Sequence, residues 1–156
     1  MNEHIYHATV TWSRQPQETF TDNKFSRAHV WQFDEGVTVP ASASPYVLAP
    51  PLSRLDAVDP EEALLASLAS CHMLFFLYRV ARAGFTVDRY EDLPEAVMGK
   101  TPEGLTFMAV ITLQPKVTWA GNPPTEVQLA EWHDKAHRDC YIANSLKSEL
   151  VLKPRL

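Results

Sequence analysis

The sequence has few glycines and no cluster of basic residues, and these two shortages exclude several classes of function. Its five glycines are scattered along 156 residues, so no glycine-rich loop is available to cradle phosphate groups. Lys and Arg together number 14 against 19 Asp and Glu, which gives a net charge of −5. A chain without a basic patch lacks the electrostatic footprint of a nucleic-acid-binding protein. We therefore expect no nucleic-acid partner.

Signals for export or membrane insertion are also missing. The N-terminal residues lead directly into a strand-like pattern, without the basic segment and apolar segment of a signal peptide. The most apolar stretch runs from Ala63 to Leu77 and is interrupted by Ser67, Ser70 and His72. It is predicted to be too short to span a bilayer. We therefore expect a cytoplasmic protein with no membrane partner.

Cysteine is scarce, with Cys71 and Cys140 as the only two. In a reducing compartment two cysteines seldom form a structural disulfide, and an isolated cysteine is most often a small buried apolar side chain. A domain of this length buries about 70% of its unfolded surface, so it needs neither a disulfide nor a metal to fold. The two thiols are therefore expected either to carry chemistry or simply to fill space.

The pattern of elements predicts a single α+β domain over residues 1–156. Two alternating segments, 5–13 and 26–33, predict an antiparallel pair of half-buried strands. Four prolines between residues 40 and 51 exclude a long helix or a central strand there and predict an extended loop. Further strands are predicted within 85–98, over 105–118 and over 149–153, and a short helical stretch over 141–146.

Two longer helices complete this prediction. Asp59 as the N-cap, Pro60 at the first helical position and two following glutamates mark a helix that should run to about Ala83. Since this segment is apolar on nearly all sides, it is expected to be a buried central helix. A capping box beginning at Thr125 predicts a second helix that ends near Asp139.

Cys71 lies near the middle of the first helix, and Cys140 lies at the end of the second. Burial alone raises the pKa of a thiol and makes it inert, so a reactive Cys71 would need a nearby cation. His72 points about 100° away around the helix, and the cation must therefore come from elsewhere in the fold. A cysteine at a helix C-terminus gains nothing from the helix dipole, which suits Cys140 to resolving rather than attacking. The candidate cations are Arg27, Arg14, Arg54, His137 and Arg138.

Two motifs resemble those of the OsmC/Ohr family, the osmotically inducible and organic hydroperoxide resistance proteins. The segment DPEEALLASLASC, which ends at Cys71, resembles the helix that carries the first cysteine of that family. The segment HRDCYIANS, which contains Cys140, is similar to the second-cysteine motif, although many Ohr members have Pro where this chain has Tyr141. The resemblance covers about residues 4–153. It implies an OsmC-like fold, with antiparallel sheets around two central helices, in an intertwined homodimer with two sites at the interface.

The same resemblance implies a function. It points to a thiol-dependent peroxidase that reduces organic hydroperoxides, and sometimes hydrogen peroxide, in the response to oxidative stress. In this reading Cys71 becomes a sulfenic acid and Cys140 condenses with it to a disulfide. No bound cofactor is implied; an external dithiol, suspected to be of the lipoyl type or a lipoyl protein, would restore the thiols. Apolar side chains that could form the substrate pocket, or simply belong to the core, are Leu74, Phe75, Trp31 and Phe33.

The resemblance further implies an arginine and a glutamate beside the attacking cysteine. Glu61 matches the glutamate of the family motif, and Arg27 is the first choice for the arginine, with Arg14 and Arg54 as alternatives. Glu61 and Cys71 are ten residues apart, about 15 Å along one helix. One helix cannot bring them together, so we expect Glu61 to serve the site of the partner subunit. Its expected task is to orient the arginine, because a carboxylate touching the sulfur would raise the pKa of the thiol.

Two competing interpretations remain at this stage. The first is a protein that keeps the OsmC fold but binds a ligand without turnover. The second is a zinc site, since His133 and His137 lie one helical turn apart and Cys140 follows, with Cys71 or His72 as a fourth ligand. A His pair at this spacing on a polar helix is more often a solvated face.

Overall fold

The computed structural model describes residues 4–155. By its packing the chain divides into two compact units, with the boundary after Ala63. The elements in chain order are β1 (Thr9–Thr11), β2 (His29–Gln32), β3 (Thr38–Ala41), α1 (Pro60–Arg82), β4 (Thr86–Glu91), β5 (Glu95–Lys100), β6 (Thr106–Leu113), β7 (Lys116–Ala120), α2 (Glu126–Asp139) and β8 (Glu149–Leu152).

The first unit contains a three-stranded antiparallel sheet in the order β1-β2-β3. It confirms the predicted antiparallel pair, in which Val10 lies opposite Trp31. The first strand is shorter than predicted, and its three residues are exposed rather than half-buried. β3 was missed because Pro40 lies within it. This strand is at the edge of the sheet, where a residue without an N–H is tolerated.

α1 begins and ends as the sequence predicts. The Asp59 Oδ1 accepts the Glu62 N–H at 2.8 Å, and the Glu62 carboxylate accepts the Asp59 N–H at 3.4 Å. The helix ends at Arg82. Beyond it Gly84 takes a left-handed conformation with φ 83°, and the Phe85 N–H donates back to the Val80 carbonyl at 3.2 Å. This pattern is a Schellman stop signal.

The length of α1 corrects one expectation. The helix has 23 residues and is long and apolar enough, by length and composition, to cross a membrane. The prediction that the apolar stretch is too short therefore does not hold for the helix that forms. Core helices of folded domains pass the same test. On α1 the side chains of Leu68, Phe76 and Val80 are at most 1% exposed, so one face of this helix forms core.

The second unit contains two sheets. β4 pairs with β7, and the other sheet has the order β5-β6-β8. All pairings are antiparallel except β6 with β8, which run parallel. The single strand predicted over 105–118 is two strands in different sheets, because Gln114 and Pro115 interrupt it. Proline has no N–H for a ladder bond and so ends the pairing of β6.

α2 also matches its prediction. The Thr125 hydroxyl accepts the Gln128 N–H and the Gln128 side chain accepts the Thr125 N–H, which completes the capping box. The helix ends at Asp139, with Cys140 as its C-cap. A 3-10 turn over Ala143–Ser145 lies within the predicted helical stretch.

The core of the second unit forms two clusters. One contains Phe76, Val80, Trp132 and Ala136. The other, here called the cysteine cluster, has the buried residues Leu68, Ala69, Ile111, Leu113, Cys140 and Ala143. Each fully buried aliphatic or aromatic side chain contributes about 1.5–3 kcal/mol relative to its exposed state. The cysteine cluster thus fixes α1 and the end of α2 against β6.

Candidate active site

Cys71 and Cys140 come together in the cysteine cluster. Both are free thiols; Cys71 is half-buried and Cys140 is fully buried. Burial, together with a hydrogen bond to Cys71, raises the pKa of the Cys140 thiol to about 11. The cysteine cluster therefore places a fully buried, protonated thiol beside a half-buried one.

Backbone contacts hold Cys140 in the turn that follows α2. Its N–H donates to the His137 carbonyl at 3.3 Å, and its carbonyl accepts the Asn144 N–H at 3.0 Å. Its sulfur accepts the Ala143 N–H at 3.4 Å. The Asn144 side chain donates to the Arg138 carbonyl at 3.0 Å. The motif HRDCYIANS therefore folds on itself as a tight turn whose geometry positions the sulfur.

An ion pair connects the two helices beside this turn. Arg79, two turns after Cys71 on α1, donates to the Asp139 carboxylate, next to Cys140. The two side chains are 26% and 45% exposed, so the pair contributes at most about 1 kcal/mol to stability. Its position matters more than its energy, because it fixes the last residue of α2. Sequence reasoning missed this pair, since long-range ion pairs leave no periodic pattern.

Two aromatic rings flank the thiols. Phe75, one turn after Cys71, packs against the cysteine cluster. Tyr141 directly follows Cys140, and its ring meets the Phe75 ring nearly at a right angle, with centroids 5.3 Å apart. Tyr141 is 69% exposed and Leu74 is 62% exposed. Of the two α1 side chains suggested for the substrate pocket, Phe75 packs against the cysteine cluster and Leu74 is largely exposed.

The three arginines that the family resemblance suggests lie in the first unit, whereas Arg138 and His137 are exposed on α2 in the second. The Arg27 guanidinium lies 3.6 Å from the centroid of the Phe25 ring and donates to the Asn23 side chain at 2.7 Å. Arg14 donates to backbone carbonyls of the loop over 15–18. Arg54 forms an exposed ion pair with Asp56. Arg27 also lines a largely apolar groove of about 400 Å³, with Trp12 and Phe25 among its walls. Trp31 and Phe33 also lie in this unit. Trp31 is half-buried, and Phe33 is 44% exposed.

Glu61 lies in the first turn of α1 and is half-buried. Its Oε2 is buried and has no hydrogen-bond partner among the residues that the structure describes. A buried carboxylate oxygen without a partner is costly and calls for an explanation. α1 is unbroken from Pro60 to Arg82, so Glu61 and Cys71 of one chain lie about 15 Å apart along its axis.

Comparison with known proteins decides the family. The family of OsmC-like proteins matches residues 53–155. This chain belongs to the OsmC-like family. An OsmC-like protein of unknown function from Vibrio cholerae is 44% identical and superposes with a TM-score of 0.95, over 98% of this chain and 100% of that one. No curated protein matches this chain.

Organic hydroperoxide resistance proteins share the OsmC-like fold. One from Elizabethkingia anophelis is 15% identical, with a TM-score of 0.70 over 99% of this chain and 96% of that one. The organic hydroperoxide resistance protein OhrB of Bacillus subtilis is also 15% identical, with a TM-score of 0.69 over 97% and 98%. These comparisons confirm the recognised family and the predicted α+β fold class.

The structure gives no support to the zinc interpretation. Over residues 4–155 no group of three or more His, Cys, Asp or Glu side chains is arranged to hold a metal ion. His133 is not on a solvated face: it is 1% exposed, and its Nδ1 lies 2.9 Å from the His72 Nε2.

Proposed function

We propose that this OsmC-like protein is a thiol peroxidase that reduces organic hydroperoxides through a Cys71 sulfenic acid and a Cys71–Cys140 disulfide. The observation that carries the proposal is the meeting of two free thiols in one cluster, one half-buried on α1 and one fully buried at the end of α2. A hydroperoxide resistance protein from E. anophelis shares the fold, and this likeness supports the choice of substrate class.

The chemistry balances with these two thiols and one hydroperoxide. The Cys71 thiolate attacks the distal oxygen of R–O–OH, and the O–O bond breaks. The sulfur becomes a sulfenic acid, while the alkoxide takes a proton and leaves as the alcohol. The Cys140 sulfur then gives up its proton and attacks the Cys71 sulfur, and water leaves as the disulfide forms. The two electrons that reduce the peroxide come from the two thiols.

The environments of the thiols support this division of roles. With a pKa of about 11, caused first by burial and then by the bond to Cys71, Cys140 stays protonated at neutral pH and does not compete for the peroxide. The Ala143 N–H, 3.4 Å from the Cys140 sulfur, stabilises the negative charge that this sulfur acquires in the resolving step.

Arg27 and Glu61 are the further residues of the proposal. Arg27 is proposed to hold the thiolate and direct the peroxide oxygen, with bidentate hydrogen bonding as the physical basis. Its place in an apolar groove supports this choice over Arg14 and Arg54. Glu61 is proposed to accept from that arginine. The buried Oε2 without a partner among the described residues supports a role in a second subunit.

A homodimer is accordingly part of the proposal. Leu74 and Tyr78 lie one turn apart on α1 and are 62% and 60% exposed, which is unusual for large apolar side chains on a core helix. A second copy of the chain would cover them. Regeneration by an external dithiol of the lipoyl type, without a bound cofactor, and a cytoplasmic setting complete the proposal on the family resemblance alone.

The test is a thiol count after exposure to peroxide. Reduced protein is mixed with one equivalent of cumene hydroperoxide and analysed by mass spectrometry, alongside Cys71→Ser and Cys140→Ser. We expect wild type to form the Cys71–Cys140 disulfide, Cys140→Ser to stop at oxidised Cys71, and Cys71→Ser to leave the peroxide intact. If wild type keeps both thiols while the peroxide persists, the proposal fails, and the ligand-binding and zinc-site interpretations become the ones to test.

A further inference from the structure

Tyr141 has a fixed position beside the thiols, although its side chain is exposed. It directly follows Cys140, and 69% of its surface is exposed. The backbone is held on both sides of it. The Cys140 N–H donates to the His137 carbonyl at 3.3 Å, and the Tyr141 carbonyl accepts the Ser145 hydroxyl at 2.8 Å. The Tyr141 ring therefore starts from a well-held backbone while it faces solvent.

The partner of the Tyr141 ring is Phe75, one helical turn after Cys71 on α1. The two rings meet at 80°, with centroids 5.3 Å apart, so that the edge of one ring faces the other. Phe75 is half-buried and packs against the cysteine cluster. Because long side chains of a helix point back towards its N-terminus, the Phe75 ring leans over the turn that contains Cys71. Phe75 and Tyr141, here called the aromatic wall, therefore stand beside Cys71.

The aromatic wall lies on the side of Cys71 that solvent reaches. Cys71 and Phe75 are both half-buried. Next to Phe75, Leu74 is 62% exposed and Phe76 is fully buried. Cys71 and Phe75 thus form one row at the border between the buried and the exposed face of α1. Solvent meets Cys71 along this border, because Cys140 on its other side has no exposed surface.

The dimensions of a hydroperoxide with an aromatic ring match this arrangement. The oxygen that reacts has to come within about 3–3.5 Å of the attacking sulfur. When the aromatic ring is attached to the carbon that bears the peroxide, it begins three bonds beyond that oxygen. The ring then lies about one helical turn, roughly 5–7 Å, from the sulfur. Phe75 is one turn from Cys71, and Tyr141 packs on Phe75, so the ring of the substrate would meet the aromatic wall.

We propose that Tyr141 is a specificity-determining residue that, together with Phe75, favours hydroperoxides with an aromatic ring on the carbon that bears the peroxide. This inference rests on the peroxidase function proposed above. Aromatic rings attract one another in edge-to-face contact beyond what their buried area contributes, so the wall distinguishes an aromatic ring from a saturated ring of similar size. The contact is made away from the reacting atoms and is equal in the substrate complex and the transition state. It therefore raises kcat/KM and leaves kcat unchanged.

The test compares cumene hydroperoxide with the 8-hydroperoxide of p-menthane, in which a methylcyclohexane ring replaces the aromatic one. Single-turnover oxidation of reduced protein gives the second-order rate constant for each, and their ratio measures the aromatic preference. We expect the ratio to be about threefold to tenfold higher in wild type than in Tyr141→Leu, which keeps an apolar side chain. Tyr141→Phe should keep the wild-type ratio. Equal ratios in wild type and Tyr141→Leu would overturn the proposal, as would a Tyr141→Phe protein that behaves like Tyr141→Leu, since the hydroxyl group and not the ring would then act.

Alkylation of Cys71 separates this inference from the proposed function, because it needs the thiol and the aromatic wall but no peroxide. Phenacyl bromide and bromomethyl cyclohexyl ketone again differ in whether one ring is aromatic, and they hold it at a similar distance from the sulfur. We expect the same change in rate ratio between wild type and Tyr141→Leu. A protein that shows this change but leaves hydroperoxides intact would refute the peroxidase function and keep the aromatic wall. One that reduces hydroperoxides without any change in either ratio would refute the wall alone.

Discussion

Cys140, fully buried at the end of α2, shares the cysteine cluster with Cys71, the half-buried thiol of α1. This difference in burial separates the two cysteines before any peroxide arrives. Cys71 is the residue with access to solvent. Cys140 is enclosed by Leu68, Ile111 and other apolar side chains of the cysteine cluster.

The first prediction concerns alkylation. In native reduced protein at pH 7.5, iodoacetamide should modify Cys71 more than 100-fold faster than Cys140, because Cys140 has no exposed surface and a pKa of about 11. Peptide mass spectrometry over time measures both rates. In urea the two rates should converge. Comparable rates in the native protein would mean that Cys140 is not enclosed as described.

The second prediction concerns the Arg79–Asp139 ion pair. Asp139→Asn should slow disulfide formation while leaving the initial oxidation of Cys71 unchanged, because the pair fixes the helix end that carries Cys140. The cost in unfolding free energy should be about 1 kcal/mol or less for a partly exposed pair. Trapping of the sulfenic acid with dimedone separates the two steps.

A matched control for that variant is available on the same helix. Glu131 pairs with Lys135 one turn away, also partly exposed, and neither residue is next to a cysteine. Glu131→Gln should change neither step. If both variants slow disulfide formation equally, the effect comes from α2 stability in general and not from the position of Asp139.

The third prediction is a loss of stability in acid. The pKa values of His72 and His133 are lowered from 6.5 to about 4 and about 3 in the folded protein, so the unfolded chain takes up protons that the folded chain does not. The free energy of unfolding therefore has its full value above about pH 6.5 and decreases as the pH drops towards 4. Between pH 7 and pH 5 the two rings together should cost roughly 3 kcal/mol.

Urea denaturation at both pH values measures this loss. His133→Phe should show a clearly smaller loss, while a change at the exposed His137 to Gln should alter the difference little. A wild-type protein equally stable at pH 7 and pH 5 would contradict the burial of a neutral histidine pair.

The fourth prediction compares two adjacent glutamates. Glu61→Gln should lower kcat/KM for an organic hydroperoxide by roughly tenfold to a hundredfold, since a mispositioned active-site group costs about that much, and should leave the unfolding midpoint nearly unchanged. Glu62→Ala should leave kcat/KM nearly unchanged and lower the unfolding midpoint, because it removes the carboxylate that accepts the Asp59 N–H at the helix start. Gln would not serve here, since it can accept that N–H as Gln128 does in α2. Loss of a cap costs about 1 kcal/mol. A rate loss in both variants would assign Glu61 to helix stability alone.

The sequence predicted those parts of the fold that depend on neighbouring residues. The start of α1 at Asp59 and the capping box at Thr125 were found because both signals are local. β3 was missed because Pro40 was taken to exclude a strand, whereas β6 and β7 were merged because Pro115 was not taken as a break. In both cases strand pairing depends on residues distant in sequence. The OsmC-like fold followed from the motifs around the two cysteines, which the family comparison confirms.

The site was less accessible to sequence reasoning. The pairing of Cys71 with Cys140 came from family resemblance, since the two are distant in sequence. His133 was placed on a solvated face because its helix is polar overall, whereas the structure buries it against His72. A buried polar residue is recognisable only from its partner, and here that partner is on the other helix. The roles of Arg27 and Glu61 stay predictions.

The parallel pairing of β8 with β6 has a consequence for shortened forms of the chain. Leu150 and Leu152 on β8 pack against the cysteine cluster. A chain cut ahead of Glu149 by a protease would keep both cysteines but would lose the strand that packs over their cluster. The thiols of the shortened chain would then be more open to solvent and to oxidants than those of the intact one.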